Sequence, residues 1–386
     1  MYSRVCLLCI IVTISLGYVA SKPGVEENKK IFSVSLDVIN PRDWNCKFMS
    51  NQSQCEVDLS AVKESLSVPA VNNGLRLVMI IEIGAAKQPF RVVLDSGSDL
   101  LWVFSNECLD DKNDNCKGHA KFVLDKAPLY RPFKLGYSGG GRITGKEVTC
   151  VDVHVTDLIA VKAQLFGAAD DTTLNFRYAD GVMGLNMDTK HNQPSVIYNM
   201  IAQNLITEPA YSLCVKEAKT AMDGGDITFG GHNEALVEAD SGVKVGIQLK
   251  EHYMTEMTSL KVGDVFYCSE DIHKCKILVD SGSASIYGPK EFVDDLLKEI
   301  NADAHGIVDC KNIPEFPTIE IMFGESKITL ESKYYIIVMG ETCQCGVGKN
   351  PDRGIDWLFG IPFFIKYCIE FDFTDKDEHL YFWTKK

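Results

Sequence analysis

The amino-acid sequence predicts an all-β protein of two similar lobes with a cleft between them and a few short helices. Three observations point to this. The apolar runs are short and rich in Val, Ile, Phe and Tyr, helical periodicity is scarce, and one strand-plus-turn motif occurs twice in separate halves of the chain.

The strand-like runs lie at 77–83, 90–94, 148–155, 227–229, 277–279, 318–323, 334–338 and 367–373, most of them bounded by Gly, Asn, Asp or Pro. Helical spacing of apolar residues is clearest at 194–205 and 290–300, each with a Pro near its first turn. With 386 residues, 46% hydrophobic and 24% charged, the chain has globular proportions and enough apolar mass for two lobes.

The repeat is the most informative feature. Val-Val-Leu-Asp-Ser-Gly-Ser at 92–98 returns as Ile-Leu-Val-Asp-Ser-Gly-Ser at 277–283, so that Asp95 and Asp280 are 185 residues apart. Each copy is an apolar strand running into a tight turn. Downstream of each lies a second shared element, Val-Met-Gly at 182–184 and Leu-Phe-Gly at 358–360. The pattern implies duplication, with lobes at 69–245 and 246–386, each supplying one carboxylate.

The N-terminal region reads differently. Arg4 precedes an uncharged apolar run at 5–16, followed by small residues around Ala20, so 1–21 is expected to be a secretory signal peptide. The run is short for a bilayer span, and no later segment reaches 18 uninterrupted apolar residues, so no stable membrane insertion is expected after signal removal. Residues 22–68 are expected to form a propeptide or N-terminal extension. The apolar run at 31–38 suits a propeptide; acidic and basic residues are nearly balanced across 22–68, which argues against an electrostatic clamp, and part of the stretch could persist as an edge strand. Asn51 heads an Asn-Gln-Ser glycosylation sequon.

Of fourteen cysteines, Cys6 and Cys9 fall in the leader and leave an even set, as befits an oxidising compartment. Short-range pairs suggest themselves: Cys46 with Cys55, Cys108 with Cys116, and Cys268 with Cys275. Cys310 could close onto Cys343 or Cys345. Cys150, Cys214 and Cys368 sit among strand-like apolar residues, where a buried free thiol is an equally good reading. Cys343 and Cys345 lack a second Cys or His pair at zinc-site spacing, so neither metal nor cofactor is expected. A formal net charge of −14 with no basic block makes nucleic acid a poor partner, and suits a protein working in acid, where protonation relieves self-repulsion.

Chemistry follows from the duplicated Asp. Two carboxyl groups brought together cannot both ionise readily, so one can deprotonate water while the other, protonated, polarises a carbonyl. Gly97 and Gly282 permit the tight turns, and the hydroxyls of Ser96, Ser98, Ser281 and Ser283 can brace them. A single Asp-Ser-Gly-Ser is more often a surface turn; two on matching strands are not.

From about residue 69 to the C-terminus the chain resembles the pepsin-like aspartic proteases. The two Asp-Ser-Gly-Ser turns, Leu-Trp-Val at 101–103, the Cys108/Cys116 loop, Asp-Gly-Val-Met-Gly-Leu at 180–185, Gly-Pro at 288–289 and Trp-Leu-Phe-Gly at 357–360 occur in the family's order. The resemblance implies a bilobal acid-protease fold and an aspartic endopeptidase with Asp95 and Asp280 as the catalytic pair. It implies further that Tyr137, beside the glycines at 139–141, belongs to a flap hairpin and hydrogen-bonds toward Trp102. Val93, Tyr137, Val182 and Ile286 would line substrate pockets. The expected partner is a peptide or protein in extended conformation, the expected location the secretory route, extracellular or lysosome-like and acidic, and the expected state a monomer.

Departures bear on activity. Ser replaces the family's usual Thr after each catalytic Asp, and Asp99 stands where a small hydroxyl residue is usual. If Asp99 points toward the pair, its charge would raise their shared pKa and move the activity optimum upward. The competing reading is a catalytically silent relative that binds peptide or a protein partner in the cleft; a secreted adhesive β-protein would have no use for the duplicated turns.

Overall fold

The computed structural model describes residues 32–36, 76–125, 129–137, 140–175, 179–187, 194–206, 208–216, 224–247, 254–269, 275–350, 355–374 and 378–386. The expected signal peptide, the Cys46/Cys55 pair and Asn51 lie outside them.

The protein is mostly β. After strand β1 (Phe32–Leu36), the first half contains β2 (Val78–Ile83), β3 (Gln88–Asp95), β4 (Leu101–Phe104), β5 (Leu129–Gly136), β6 (Arg142–His154), β7 (Ala160–Thr172) and β8 (Gly181–Gly184). Strands β2 to β8 form a seven-stranded sheet in the order β2-β3-β8-β4-β7-β6-β5, which a further β2–β6 pairing begins to close on itself. Strands β9 (Ala210–Val215), β10 (Gly225–Phe229) and β11 (Val243–Gly246) follow.

The second half runs through β12 (Met254–Met257), β13 (Ser259–Val262), β14 (Val265–Cys268), β15 (Cys275–Val279), β16 (Ile286–Gly288), β17 (Ile307–Val308), β18 (Ile319–Phe323) and β19 (Ser326–Leu330). It continues through β20 (Ile336–Met339), β21 (Thr342–Cys345), β22 (Val347–Lys349), β23 (Trp357–Phe359), β24 (Tyr367–Asp372) and β25 (His379–Thr384). Three sheets result, ordered β12-β15-β23-β16-β22, β14-β13-β18-β19 and β17-β21-β20.

A six-stranded sheet, β1-β10-β9-β24-β25-β11, joins the halves. The boundary at 245/246 expected from sequence therefore falls within β11, on this shared sheet. Its edge strand β1 comes from the N-terminal extension and pairs antiparallel with β10, Phe32 opposite Phe229 and Leu36 opposite Gly225. The apolar run at 31–38 has the β-propensity to fill that edge.

The duplication is visible in the pairing. Strand β3 lies parallel to β8 with Asp95 opposite Gly184, and β15 lies parallel to β23 with Val279 opposite Phe359. In each half the Gly-ended strand also pairs antiparallel with the strand that follows the carboxylate turn, β4 or β16. Strands β3, β8, β15 and β23 are buried almost throughout, as expected of strands covered on both faces.

Helices are few. Helix α1 (Val196–Ala202) begins at Ser195, whose hydroxyl accepts from the Tyr198 N–H, and α2 (Lys290–Glu299) buries Phe292, Val293 and Leu296 on one face. The run at 334–338, expected as a strand, instead splits into a helical turn, α3 (Ser332–Tyr335), and β20. The Ser332 hydroxyl donates to the Ile313 carbonyl and the Tyr335 hydroxyl to that of Pro317, which holds a turn where the apolar pattern alone reads as extended. A short α4 (Ile361–Lys366) follows Gly360 directly. No helix among the described residues is long and apolar enough to cross a membrane.

Disulfides join Cys108 to Cys116, Cys268 to Cys275, Cys310 to Cys343 and Cys214 to Cys368. The choice left open for Cys310 falls on Cys343, and Cys345 is a half-buried free thiol. Neither Cys214 nor Cys368 is a free thiol: the two face each other across β9 and β24 and so tie the halves together. Cys150 is disulfide-bonded as well, and is exposed at a bulge in β6 with φ of 57°.

Candidate active site

Both Asp-Ser-Gly-Ser turns meet at the junction of the halves, and they hold each other. The Ser96 N–H donates to Ser281 Oγ at 3.0 Å and the Ser281 N–H to Ser96 Oγ at 2.9 Å. Ser96 Oγ donates in turn to the Val279 carbonyl and Ser281 Oγ to the Leu94 carbonyl, both at 2.9 Å. Each hydroxyl thus accepts once and donates once across the pseudo-twofold axis, and both serines are fully buried. Removing one hydroxyl would leave a buried N–H and a buried carbonyl unpaired, at about 1–3 kcal/mol each.

This grip sets the carboxylates side by side. Asp95 Oδ1 accepts from the Gly97 N–H at 3.0 Å and Asp280 Oδ1 from the Gly282 N–H at 2.8 Å. On the outer oxygens, Ser98 Oγ donates to Asp95 Oδ2 and Ser283 Oγ to Asp280 Oδ2, the latter at 2.6 Å. A Cβ on Gly97 would lie 2.8 Å from Asp280 Cγ, and one on Gly282 only 2.4 Å from Asp95 Oδ1. Each glycine is therefore required by the close approach of the opposite carboxylate.

Asp95 and Asp280 are only 6% and 8% exposed. Burial, followed by the charge of Asp280 and a hydrogen bond to its carboxyl, holds the pKa of Asp95 well above its ordinary value. The arrangement thus keeps a proton available between two carboxyls under conditions where an isolated aspartate would have lost it. A group of this kind can give a proton to one atom and take one from another.

Tyr137 follows β5 at the turn end of the β5–β6 hairpin, where its N–H donates to the Gly141 carbonyl at 2.8 Å. Trp102 Nε1 donates to the Tyr137 hydroxyl, also at 2.8 Å. The phenol is raised far above its ordinary pKa, by burial first and then by the charge of Asp95, and it also hydrogen-bonds with Ser98. A hydrogen-bond chain therefore runs from Trp102 through Tyr137 and Ser98 to Asp95. Residues 138–139, at the hairpin tip, lie outside the described residues.

Val93, Trp102 and Val182 pack together in the cluster against which Tyr137 rests, and all three are essentially buried. Ile286 does not join them. It is 1% exposed in the main core and pairs with Phe359 and Val347, so its side chain lies behind the second turn. Asp99 is buried, and its charge contributes to raising Tyr137, whereas burial and Asp280 dominate at Asp95.

One feature close behind the site escaped the sequence reading. Asp180, next to β8, accepts from the Arg91 N–H and guanidinium and from the Ala120 N–H, with the His119 ring 3.7 Å away. It binds β3, β8 and the Cys108–Cys116 region into one unit behind Asp95. Burial pushes its carboxyl upward, but the neighbouring His119 ring and the charge and hydrogen bonds of Arg91 hold it below its ordinary pKa. The signal available in the sequence was a lone Asp before Gly-Val-Met-Gly; its partners Arg91 and His119 are too distant in the chain to be linked by pattern.

Comparison with known proteins agrees with this geometry. Over 344 residues the chain is 28% identical to cathepsin E of Mus musculus, covering 82% of this chain and 84% of that protein. It is 25% identical over 310 residues to pepsin B of Canis lupus familiaris, with 76% and 77% covered. A vacuolar aspartic protease of Candida albicans is 26% identical over 324 residues, with 79% and 74% covered. Residues 77–380, which include both carboxylate turns and the sheets that present them, match the family model of eukaryotic aspartyl proteases, and the chain belongs to that family.

Proposed function

We propose that the protein is an endopeptidase that hydrolyses peptide bonds with a water molecule held between Asp95 and Asp280, working in an acidic compartment of the secretory route. The observation that supports this most strongly is the hydrogen-bonded pair of buried carboxyls, one with a raised pKa, braced by the reciprocal Ser96 and Ser281 bonds.

In this reading one carboxyl is ionised and the other protonated. The carboxylate takes a proton from the water while the carboxylic acid donates to the carbonyl oxygen of the scissile bond, giving a tetrahedral diol. Collapse of the diol returns a proton to the leaving nitrogen, breaks the C–N bond and restores one proton to the pair. Tyr137, held by the Trp102 indole, would close over an extended peptide, and the apolar cluster of Val93 and Val182 would support its pockets from behind. Ile286 would act through packing rather than by touching substrate. Residues 1–21 would direct secretion, 22–68 would include the propeptide, and β1 would be the part of that extension held on the shared sheet.

The test is cleavage of an unstructured protein across about pH 3 to 6.5, with and without a statine-type inhibitor. Activity should be inhibited by that compound and absent from Asp95→Asn and Asp280→Asn. Retention of activity in either variant would overturn the assignment; absence of any activity in the native chain would favour a silent peptide binder.

A further inference from the structure

The β5–β6 hairpin is held from outside as well as by its own ladder. Its returning arm begins at Gly141, which is buried although it lies at the turn, and Leu174, just beyond β7, covers it. A Cβ on Gly141 would stand 2.5 Å from Leu174 Cγ, closer still to Cδ2 and 3.3 Å from Cδ1, so its three nearest neighbours all belong to that one side chain. Gly140, with φ of 83°, is needed for its backbone; Gly141 lies outside the left-handed region and is needed for the leucine seated on it.

Two hydrogen bonds flank this contact. The Arg142 N–H donates to Thr173 Oγ1 at 2.8 Å and the Thr173 N–H to the Arg142 carbonyl at 2.9 Å. The segment that carries Leu174 is itself fixed. Its N–H donates to Thr172 Oγ1 at 3.0 Å, and the Thr172 carbonyl accepts from Asn113 Nδ2 at 2.7 Å and Asn115 Nδ2 at 3.3 Å, both inside the Cys108–Cys116 loop. On the other side the Gly141 carbonyl accepts from the Tyr137 N–H, and Tyr137 and Leu174 rest on the same apolar cluster. Contacts therefore run unbroken from the disulfide loop through Leu174 and Gly141 to Tyr137.

We infer that Leu174 is a positioning residue for the flap: seated over Gly141, it keeps the hairpin where the Tyr137 hydroxyl accepts from Trp102 Nε1. This rests on the endopeptidase reading above. Leu174 acts through Gly141 rather than by touching the reacting atoms. A hairpin that leaves this position must be ordered again whenever peptide binds, so apparent affinity falls with the fraction of molecules still in place. The rate in the filled site changes little, because there the hairpin has already been ordered.

The test uses the full chain, one cleavable peptide and a statine-type inhibitor in acid. Leu174→Ala should raise KM and the inhibitor's Ki by a similar factor, roughly three- to tenfold, with kcat within about twofold of wild type. Leu174→Met, which keeps the volume, should behave as wild type. Gly141→Ala should raise KM as well, because its methyl displaces Leu174. Added to Leu174→Ala it should cost nothing further, because the methyl then enters an emptied notch. A side chain of purely structural importance would lower Tm and the active fraction, and so the apparent kcat, while leaving KM and Ki unmoved. The inference is overturned if Leu174→Ala keeps the wild-type KM and Ki, or if the effects of the two substitutions multiply. Either result in a chain whose cleavage needs both Asp95 and Asp280 sinks this inference alone. If the native chain cleaves nothing, or if cleavage survives in Asp95→Asn and Asp280→Asn, the endopeptidase reading fails and this inference falls with it.

Discussion

Replacing Asp280 by Asn is expected to abolish cleavage while making the folded chain more stable at neutral pH. In the native protein burial first, and then the neighbouring charge of Asp280, raise the pKa of Asp95. A carboxyl with a raised folded pKa favours folding while protonated. That contribution is complete below the ordinary carboxylate value and is lost as pH rises through the raised value. Beyond that point the folded state must hold two ionised carboxylates together. Two unit charges about 4 Å apart at an effective dielectric of about 20 repel by about 4 kcal/mol, an upper figure for a pair that can rearrange or recruit water.

An asparagine at 280 removes the second charge but keeps an oxygen for the Gly282 N–H and an amide able to donate to Asp95. The stabilisation at neutral pH should be about 1–4 kcal/mol, a rise in Tm of about 2 °C or more. Thermal melts of both proteins from about pH 2 to pH 8 would measure it, and the advantage should shrink toward zero at the acid end. A variant no more stable than wild type at neutral pH, or an advantage that does not grow with pH, would refute the reasoning.

Further outcomes follow from the same geometry. Gly282→Ala places a Cβ 2.4 Å from Asp95 Oδ1 and should cut kcat by roughly 100-fold or more with circular dichroism unchanged, since it misplaces the reacting carboxyl. Asp180→Asn should cost about 3–5 kcal/mol at neutral pH. Because Asp180 has a lowered folded pKa, its contribution is present above the ordinary value and is lost as pH falls through the lowered one, so denaturant curves of wild type and variant should converge in strong acid. Asp99→Ser should leave the acid limb of the pH–rate profile in place, because burial and Asp280 dominate at Asp95; a clear downward shift would restore Asp99 to the role its sequence position suggests. Removing the Cys214–Cys368 bond by double alanine substitution should lower stability by roughly 2–4 kcal/mol in denaturant titration, because it crosses between the halves.

Much of the site is legible in the sequence. Asp95, Asp280 and their Gly and Ser neighbours announce themselves because a duplicated strand-and-turn unit leaves the same letters at two places, and the chemistry of each turn is local. The β-rich class is equally legible, since period and composition are local properties of each run. Ile286 shows the limit: an apolar residue after a functional turn has the same signature whether it faces substrate or packs behind the turn, and the β16–β23 pairing turns it inward. The run at 334–338 is a second case, where two hydroxyl bonds to the distant Ile313 and Pro317 carbonyls impose a turn on residues with strand propensity.

The sequence by itself determined the all-β class, the duplication and the identity of the paired carboxylates, because each of these is written in contiguous residues. Only the tertiary structure decided that Cys214 meets Cys368 and that Arg91 and His119 converge on Asp180. Those outcomes depend on which strands become neighbours, and strand pairing joins residues up to 197 positions apart, as Phe32 with Phe229, through backbone hydrogen bonds that carry no side-chain signature.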